Sequence, residues 1–282
     1  AGVRVVEVGT TNRTRVADFA AAFDEARRPI RVVLRVHPSN FVQTGFVESP
    51  DARELASLAR ERGAIVVDDL GSGALLPTET YGLAHEPTPR ERLEAGADVV
   101  TFSGDKLVGG PQAGYIVGRA DLVARIRTDP LARAMRPDKT ILAAVAATLA
   151  LYRGGRAASE VPVWRALAAS RDGLRRRAQS IVLGTMPSTR IQPKAVSPID
   201  VVETRATVGG GSLPGESITS VGLSIDPGAR RSGADGLLAA LRAGDPAVIG
   251  RIERNRVILD LRTVDPAADP ALIAALRSAL AP

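Results

Sequence analysis

The stretch Phe102-Ser103-Gly104-Asp105-Lys106-Leu107-Val108-Gly109-Gly110-Pro111-Gln112-Ala113-Gly114 decides how the rest of this 282-residue chain is read. An apolar run over residues 98–102 predicts a buried strand that delivers Ser103 and Lys106 onto a glycine-rich loop, and a second strand follows over 115–117. Lysine is scarce: Lys106, Lys139 and Lys194 are the only three, and every other basic residue is arginine. A strand-end loop on a rigid scaffold is where chemistry usually sits. An amine there attacks a carbonyl when burial or neighbouring positive charge lowers its pKa, and is otherwise a solvated loop lysine.

Working outward, residues 3–8 predict a strand ending at Gly9-Thr10-Thr11-Asn12-Arg13-Thr14. A helix over 15–28 follows, with Val16, Phe19, Ala20 and Phe23 on one face. A strand over 31–36 leads into His37-Pro38-Ser39-Asn40-Phe41-Val42-Gln43-Thr44-Gly45. A helix over 50–62 takes Ser49 as N-cap and Pro50 at its first position, and Gly63 stops it. A strand over 64–67 runs into Asp68-Asp69-Leu70-Gly71-Ser72-Gly73, and a helix over 89–95 precedes the Ser103 strand. This alternation argues for an α/β fold with a mostly parallel sheet covered on both faces. Ligands of such sheets bind beyond the carboxyl ends of the strands. Asn40, Asp69, Ser103 and Lys106 all lie just past those ends, so three loops should converge on one edge.

Downstream, helix 119–127 leads to Asp129-Pro130-Leu131-Ala132-Arg133-Ala134-Met135-Arg136, and an alanine- and leucine-rich helix over 140–152 ends at Gly154-Gly155. An arginine-rich helical segment over 160–183 then joins strands over 199–207 and 218–225 and a helix over 233–242. A hairpin-like pair, 247–253 with 256–262, and a last helix over 270–280 complete a smaller α+β domain. The expected division is 1–153 and 154–282, in keeping with a length above the usual single domain. Opening directly on a strand suggests a fragment of a longer chain.

Composition narrows the function. Hydrophobic residues at 45% with 24% charged describe a globular protein with ample core material. No apolar run reaches a membrane span, and the first residues read as a strand rather than a signal peptide, so the cytoplasm is the expected compartment. The absence of cysteine excludes disulfides and thiolate chemistry, and two histidines leave little for a metal site, so none is expected. A net charge of +6 suits a polyanion such as RNA, but the charges are scattered, and 3% aromatic residues offer no base-stacking surface.

Two glycine patterns fail as nucleotide motifs. Leu76 stands where a dinucleotide fingerprint after Gly71-Ser72-Gly73 needs glycine or alanine, and Gly110 follows Gly109 where a Walker loop needs lysine. Gly209-Gly210-Gly211 predicts a flexible turn. What remains suits pyridoxal phosphate, which needs a lysine for its aldehyde, a carboxylate to keep the pyridine nitrogen protonated, and donors for phenolate and phosphate. Lys106 is the amine. Asp69 is the carboxylate, with Asp68 the alternative still in the apolar strand register. Asn40 can donate to the phenolate and Ser103 to the phosphate. Asp105 can assist proton transfer or form an ion pair that fixes the loop. Arg133 and Arg136, three apart, can present two guanidinium groups on one helical face or make an exposed basic turn. Thr10, Thr11 and Arg13 can line the pocket. His37 can touch the cofactor or bond to backbone, and His85 has no evident partner.

The Pro-Ser-Asn loop, strand-end Asp69 and Ser103-x-x-Lys106 resemble those of fold type I pyridoxal-phosphate enzymes. Within that superfamily, residues 7–14, His37-Pro38-Ser39-Asn40-Phe41, Asp69-Leu70-Gly71-Ser72-Gly73, residues 103–114 and Pro130-Leu131-Ala132-Arg133-Ala134-Met135-Arg136 are similar to bacterial selenocysteine synthases, the L-seryl-tRNA(Sec) selenium transferase family. Gly211-Ser212-Leu213-Pro214-Gly215, Val248-Ile249-Gly250-Arg251-Ile252 and Leu259-Asp260-Leu261-Arg262 resemble that family's C-terminal part. The resemblance covers nearly the whole chain. It implies a fold type I transferase-like large domain whose N-terminal part is missing, with a smaller C-terminal α+β domain. The family's N-terminal tRNA-binding domain and the opening of its catalytic domain, with phosphate-binding and ring-stacking residues, have no counterpart in this sequence.

The resemblance further implies conversion of L-seryl-tRNA(Sec) to L-selenocysteinyl-tRNA(Sec) with selenophosphate, through a dehydroalanyl intermediate bound to pyridoxal phosphate. Lys106 would remove the serine α-proton, Asp69 would hold the ring nitrogen, and Arg133 and Arg136 would meet selenophosphate or an RNA end. The family's rings of dimers imply a homo-oligomer. Two other readings stand beside this one. A related lyase acting on a free amino acid or amino sugar phosphate would need an arginine fork for a substrate carboxylate. A noncatalytic RNA-binding homologue would have no use for Lys106 and Asp69 together.

Overall fold

Three parallel strands carry the loops singled out above. In the computed structural model, which describes residues 2–186, 198–228 and 232–281, α1 (Val16–Glu25) precedes β1 (Val32–Val36), α2 (Ala52–Glu61), β2 (Ile65–Gly71), α3 (Pro89–Glu94) and β3 (Val99–Ser103). The strands run parallel in the order β1-β2-β3, and β4 (Gly114–Gly118) closes the sheet antiparallel to β3. Then come α4 (Ala120–Thr128), α5 (Pro130–Ala134), α6 (Lys139–Arg153) and α7 (Ala157–Glu160). Lys194 lies outside the described residues.

Side chains alternate across a strand, so the register decides which residues share a face. Val36 pairs with Asp69 and Asp69 with Thr101, while Arg35 pairs with Asp68 and Asp68 with Val100. The second face carries the cores. Leu55, Ala56 and Ala59 of α2 pack with Val33, Ala64 and Val66, joined by Phe19 and Phe23 of α1. Leu70, Val100, Phe102 and Val108 form a second cluster, in which Tyr115 stacks on Phe102 with ring centroids 4.9 Å apart.

Several sequence expectations change here. No strand forms over 3–8: Val3 and Val5 are 80% and 77% exposed, and a strand without a neighbour leaves its backbone groups to water. Helix α2 is capped by Asp51, whose Oδ1 accepts from Arg53 N (2.9 Å) and Glu54 N (3.0 Å), rather than by Ser49. A carboxylate placed there also complements the helix dipole. At β1 the sheet is covered on one face only, since Val32, Leu34 and Val36 are exposed on the other.

The chain divides into two compact units, Ala1–Val161 with Val208–Glu216, and Pro162–Thr207 with Ser217–Pro282. The division thus falls after α7 rather than at 153/154, and the loop 208–216 groups with the first unit. In the second unit, α8 (Pro162–Ala168) and α9 (Arg171–Thr185) replace the single helical segment expected over 160–183. The break lies at Ser170, whose Oγ accepts from Gly173 N and caps α9 (3.1 Å). An antiparallel sheet in the order β5 (Ile199–Thr207), β6 (Ser217–Ile225), β8 (Arg256–Asp260), β7 (Arg251–Glu253) packs its apolar face on α9, α10 (Gly233–Ala243) and α11 (Asp269–Leu280). Arg254 and Asn255 join β7 to β8 with φ of 48° and 58°, the geometry of a tight hairpin turn.

One buried cation organises this unit. Arg262 donates to the carbonyls of Ala166 and Ala169 (both 2.8 Å) and Thr219 (2.8 Å), and Asp260 accepts from Thr204 Oγ1 (2.5 Å) and Ser220 Oγ (2.8 Å) beside it. Removing the guanidinium leaves several buried carbonyls without donors. Arg262→Met is therefore expected to lower unfolding free energy by about 3–5 kcal/mol, read from urea denaturation. A loss below about 1 kcal/mol would mean that water replaces those donors.

Candidate functional site

The lysine loop is anchored on both sides of Lys106. Leu107 and Val108 are fully buried, Leu107 N donates to Ser72 O (3.0 Å), and Gly109 N donates to Lys106 O (3.0 Å). Gly104 N reaches Ala113 O (2.8 Å), and Tyr152 Oη of α6 donates to Leu107 O (3.1 Å) and Val108 O (2.8 Å). These bonds fix the backbone from which the Lys106 side chain departs.

The surroundings of that side chain depend on close backbone passages. Gly71 has φ of 68°, and a Cβ there would lie 2.7 Å from Ser39 Oγ and 3.8 Å from Lys106 Nζ. A Cβ on Gly73 would lie 2.4 Å from Ser103 O, so the β2 loop crosses the end of β3 where only glycine fits. A Cβ on Gly211 would meet Lys106 Cε at 2.7 Å and Nζ at 2.9 Å. Gly71 and Gly211 therefore lie beside the amine, and Ser39 lies against Gly71. Ser72 and Ser212, next to two of these glycines, are buried, and neither hydroxyl finds a hydrogen-bond partner among the described residues.

Asp69 and Asp68 diverge at this point. Thr101 Oγ1 donates to Asp69 Oδ1 (2.8 Å), and His37 N donates to Asp69 O (2.8 Å), which links the end of β1 to the end of β2. Asp68 is 2% exposed on the helix-covered face, 3.7 Å from Arg35 Nη1 and 3.5 Å from Arg92 Nε. Burial pushes its carboxyl above the ordinary range, and the two arginines oppose that shift. The His37 ring belongs to the same buried charge group, with Nε2 3.2 Å from Oε1 of buried Glu86.

The other sequence candidates fall as follows. Asn40 and Asp105 are exposed, and Ser103 is half-buried with its carbonyl against Gly73. Arg133 and Arg136 are exposed, but α5 ends at Ala134, so they follow a turn (Arg136 N to Arg133 O, 3.4 Å) rather than one helical face. Thr10 Oγ1 donates to Arg13 O (2.9 Å), Gln43 Nε2 donates to Thr11 O (2.7 Å), and the Arg13 guanidinium lies 5.6 Å from the Phe46 ring centroid. The loop after residue 8 is thus braced by residues 43–48. His85 does have partners, with Nδ1 2.5 Å from Glu79 Oε1. Sequence reasoning passed over Ser39, Thr101 and Gly211, whose signals were a buried serine in a quoted motif, a strand residue opposite Asp69 and a glycine run taken for a turn. Among the described residues no group of three His, Asp or Glu side chains is arranged to hold a metal ion. An amine, a braced carboxylate and unpartnered hydroxyls can hold a carbonyl compound and move a proton at its neighbouring carbon.

Residues 1–265 match the family described as SelA, L-seryl-tRNA selenium transferase. A Moorella thermoacetica protein named L-seryl-tRNA(Sec) selenium transferase is 43% identical over 286 residues, covering 99% of this chain and 58% of that protein. A Rhizobium meliloti protein of the same name is 43% identical over 270 residues, covering 95% of this chain and 56% of the relative. The chain spans a little over half the length of the curated relatives it matches. Among solved structures, D-glucosaminate-6-phosphate ammonia-lyase aligns with a TM-score of 0.58 at 19% identity, covering 99% of this chain and 64% of its own, a likeness of fold.

The Asp68 environment has a pH consequence. With its pKa raised in the folded state, Asp68 holds its proton more tightly folded than unfolded. Its stabilising contribution is complete below the ordinary aspartate pKa and is lost as pH rises through the raised value. The stability of the wild type relative to Asp68→Asn should accordingly fall with rising pH and then level off, in urea midpoints measured from about pH 3.5 to pH 7. A difference independent of pH contradicts this.

Proposed function

The chain belongs to the L-seryl-tRNA selenium transferase family, and from that premise we propose that it carries the reactive lysine of an enzyme converting L-seryl-tRNA(Sec) to L-selenocysteinyl-tRNA(Sec) with selenophosphate. The observation that carries this reading is the half-buried Lys106 amine against Gly71 and Gly211, beside a strand end whose Asp69 is braced by Thr101.

The cofactor we infer is pyridoxal phosphate, and the residues present fit it. Lys106 Nζ is the amine for its aldehyde, Asp69 the carboxylate for its ring nitrogen, and Asn40 and Ser103 are polar donors for its oxygens. The unpartnered Ser72 and Ser212 hydroxyls add two further groups that a polar ligand would satisfy. When bound, that group supplies an electron sink for negative charge developing at the serine α-carbon.

This chain's own residues do the rest. Lys106 Nζ takes the α-proton of the seryl group, and its anchored backbone fixes the point from which that side chain departs. Asp69, with Oδ1 accepting from Thr101 Oγ1, presents a carboxylate oriented by that bond. Asp105, exposed beside Lys106, can relay to the departing β-hydroxyl the proton that Lys106 has taken from the α-carbon. Arg133 and Arg136, exposed after α5, offer guanidinium groups to selenophosphate or to the RNA end, and Thr10, Thr11 and Arg13 offer a braced loop to the same substrates.

The test uses the full-length protein with seryl-tRNA(Sec) and selenophosphate, with selenocysteinyl-tRNA as the product measured. Lys106→Ala should abolish both product and borohydride-trapped cofactor, and Asp69→Asn should lower kcat by about 10²-fold or more. Product formed at the normal rate by Lys106→Ala rejects the assignment. A wild type that traps cofactor but makes no selenocysteinyl-tRNA points instead to a lyase acting on a smaller substrate.

A further inference from the structure

The loop 208–216 is strained. Gly209, Gly211, Leu213 and Gly215 have φ of 121°, 78°, 47° and 81°, and the third of these is not glycine. A leucine in that region costs about 1–2 kcal/mol and persists only where packing holds it. Leu213 is 5% exposed, so packing does hold it. Ser212, between two of these positions, is 3% exposed, and its Oγ has no hydrogen-bond partner among the described residues. A segment that keeps both a strained leucine and an unsatisfied buried hydroxyl is doing more than linking two strands.

Its glycines are not equivalent. A Cβ on Gly211 would fall 2.7 Å from Lys106 Cε, 2.9 Å from Nζ and 3.1 Å from Cδ, whereas Gly209, Gly210 and Gly215 have nothing within 4 Å. The last three atoms of the Lys106 side chain thus lie against the one glycine of the loop that has no room for a methyl group. A lysine side chain free in solvent samples many rotamers, and fixing it carries a substantial entropy cost. A wall along its last three atoms selects one of them and holds the amine where it reacts.

We propose that residues 208–216 form a lid over the Lys106 amine and that Gly211 is its positioning residue, the absent side chain leaving the space in which the amine lies. The proposal deepens the reading of Lys106 as the reactive amine and rests on it for its purpose, but its geometry concerns the protein alone.

Competitive acetylation of the full-length protein with limiting acetic anhydride, after hydroxylamine has released any carbonyl compound from its lysines, is resolved by peptide mass spectrometry and reads the environment of each lysine. Exposed Lys139 serves as internal reference. In the wild type Lys106 should react more slowly than Lys139. Gly211→Ala should raise the Lys106:Lys139 ratio by about threefold or more, the equivalent of displacing a side chain from its rotamer well. Gly210→Ala, at an ordinary φ with open space, should leave the ratio unchanged. Gly215→Ala introduces strain at φ of 81° without a clash, and so separates backbone strain from steric displacement. An unchanged ratio in Gly211→Ala, or an equal change in Gly215→Ala, overturns the proposal.

If Gly211→Ala fails to fold, the Lys106→Ala background decides. With the long side chain gone, Gly211→Ala should fold there and lower Tm no more than Gly215→Ala does. Failure to fold in that background also overturns the lid. Borohydride trapping of pyridoxal phosphate on the wild type is read separately: no trapped cofactor removes the cofactor reading, while the acetylation ratios still decide the lid.

Discussion

The hydrogen bond from Leu107 N to Ser72 O, 3.0 Å long, joins the lysine loop to the loop that ends β2, and the candidate site depends on it. It forms only because both loops come close enough for backbone to meet backbone. That approach requires Gly71 and Gly73 to take positive φ and Gly73 to pass where a Cβ would fall 2.4 Å from Ser103 O. Burial of Leu107 and Val108 supplies the driving force, Val108 packing with Leu70, Val100 and Phe102. Lys106 itself contributes nothing to this packing. It is carried by hydrophobic neighbours into a place its own chemistry would not choose.

The period of two along β2 then separates two adjacent carboxylates into unlike environments. Asp68 faces the helices and enters a buried group with Arg35 and Arg92, while Asp69 faces Thr101. A slip of one residue in the β2–β3 pairing would exchange them, placing the braced carboxylate under the helices. The ion-pair group on the covered face resists such a slip, because moving Asp68 outward would take from two half-buried arginines the carboxylate they share. The buried charges are thus better read as a device for register than as a source of net stability.

How much of this was legible from sequence follows from what each signal depends on. Helices such as α2 and α6 are written in local periodicity, and the glycine loop around Lys106 announces a strand end. The strand expected over 3–8 was not legible, because alternation of apolar residues specifies a strand only where a neighbour exists to pair with it. The break at Ser170 was hidden by continuous helical composition on both sides, and only the cap geometry reveals it. Arg133 and Arg136 have helical spacing, yet α5 stops between them. Asn40 was singled out for its amide, whereas Ser39 is the residue of that loop that lies against Gly71. Contacts between segments a hundred residues apart, such as Gly211 with Lys106, leave no local trace beyond the glycine itself.

The two sides of the amine differ in kind. On one side lie strand ends, buried leucine and valine, and backbone hydrogen bonds, each contributing to the stability of the unit whether or not a ligand is present. On the other lies a loop that spends conformational energy at Leu213 and leaves the Ser212 hydroxyl without a partner among the described residues. Sites that hold a ligand and then release it need such an asymmetry: a rigid floor that keeps the reacting atom in place, and a cover close enough in energy to other arrangements to move. Substitutions in the floor should therefore register first as lost stability, and substitutions in the cover first as a change in where the amine lies.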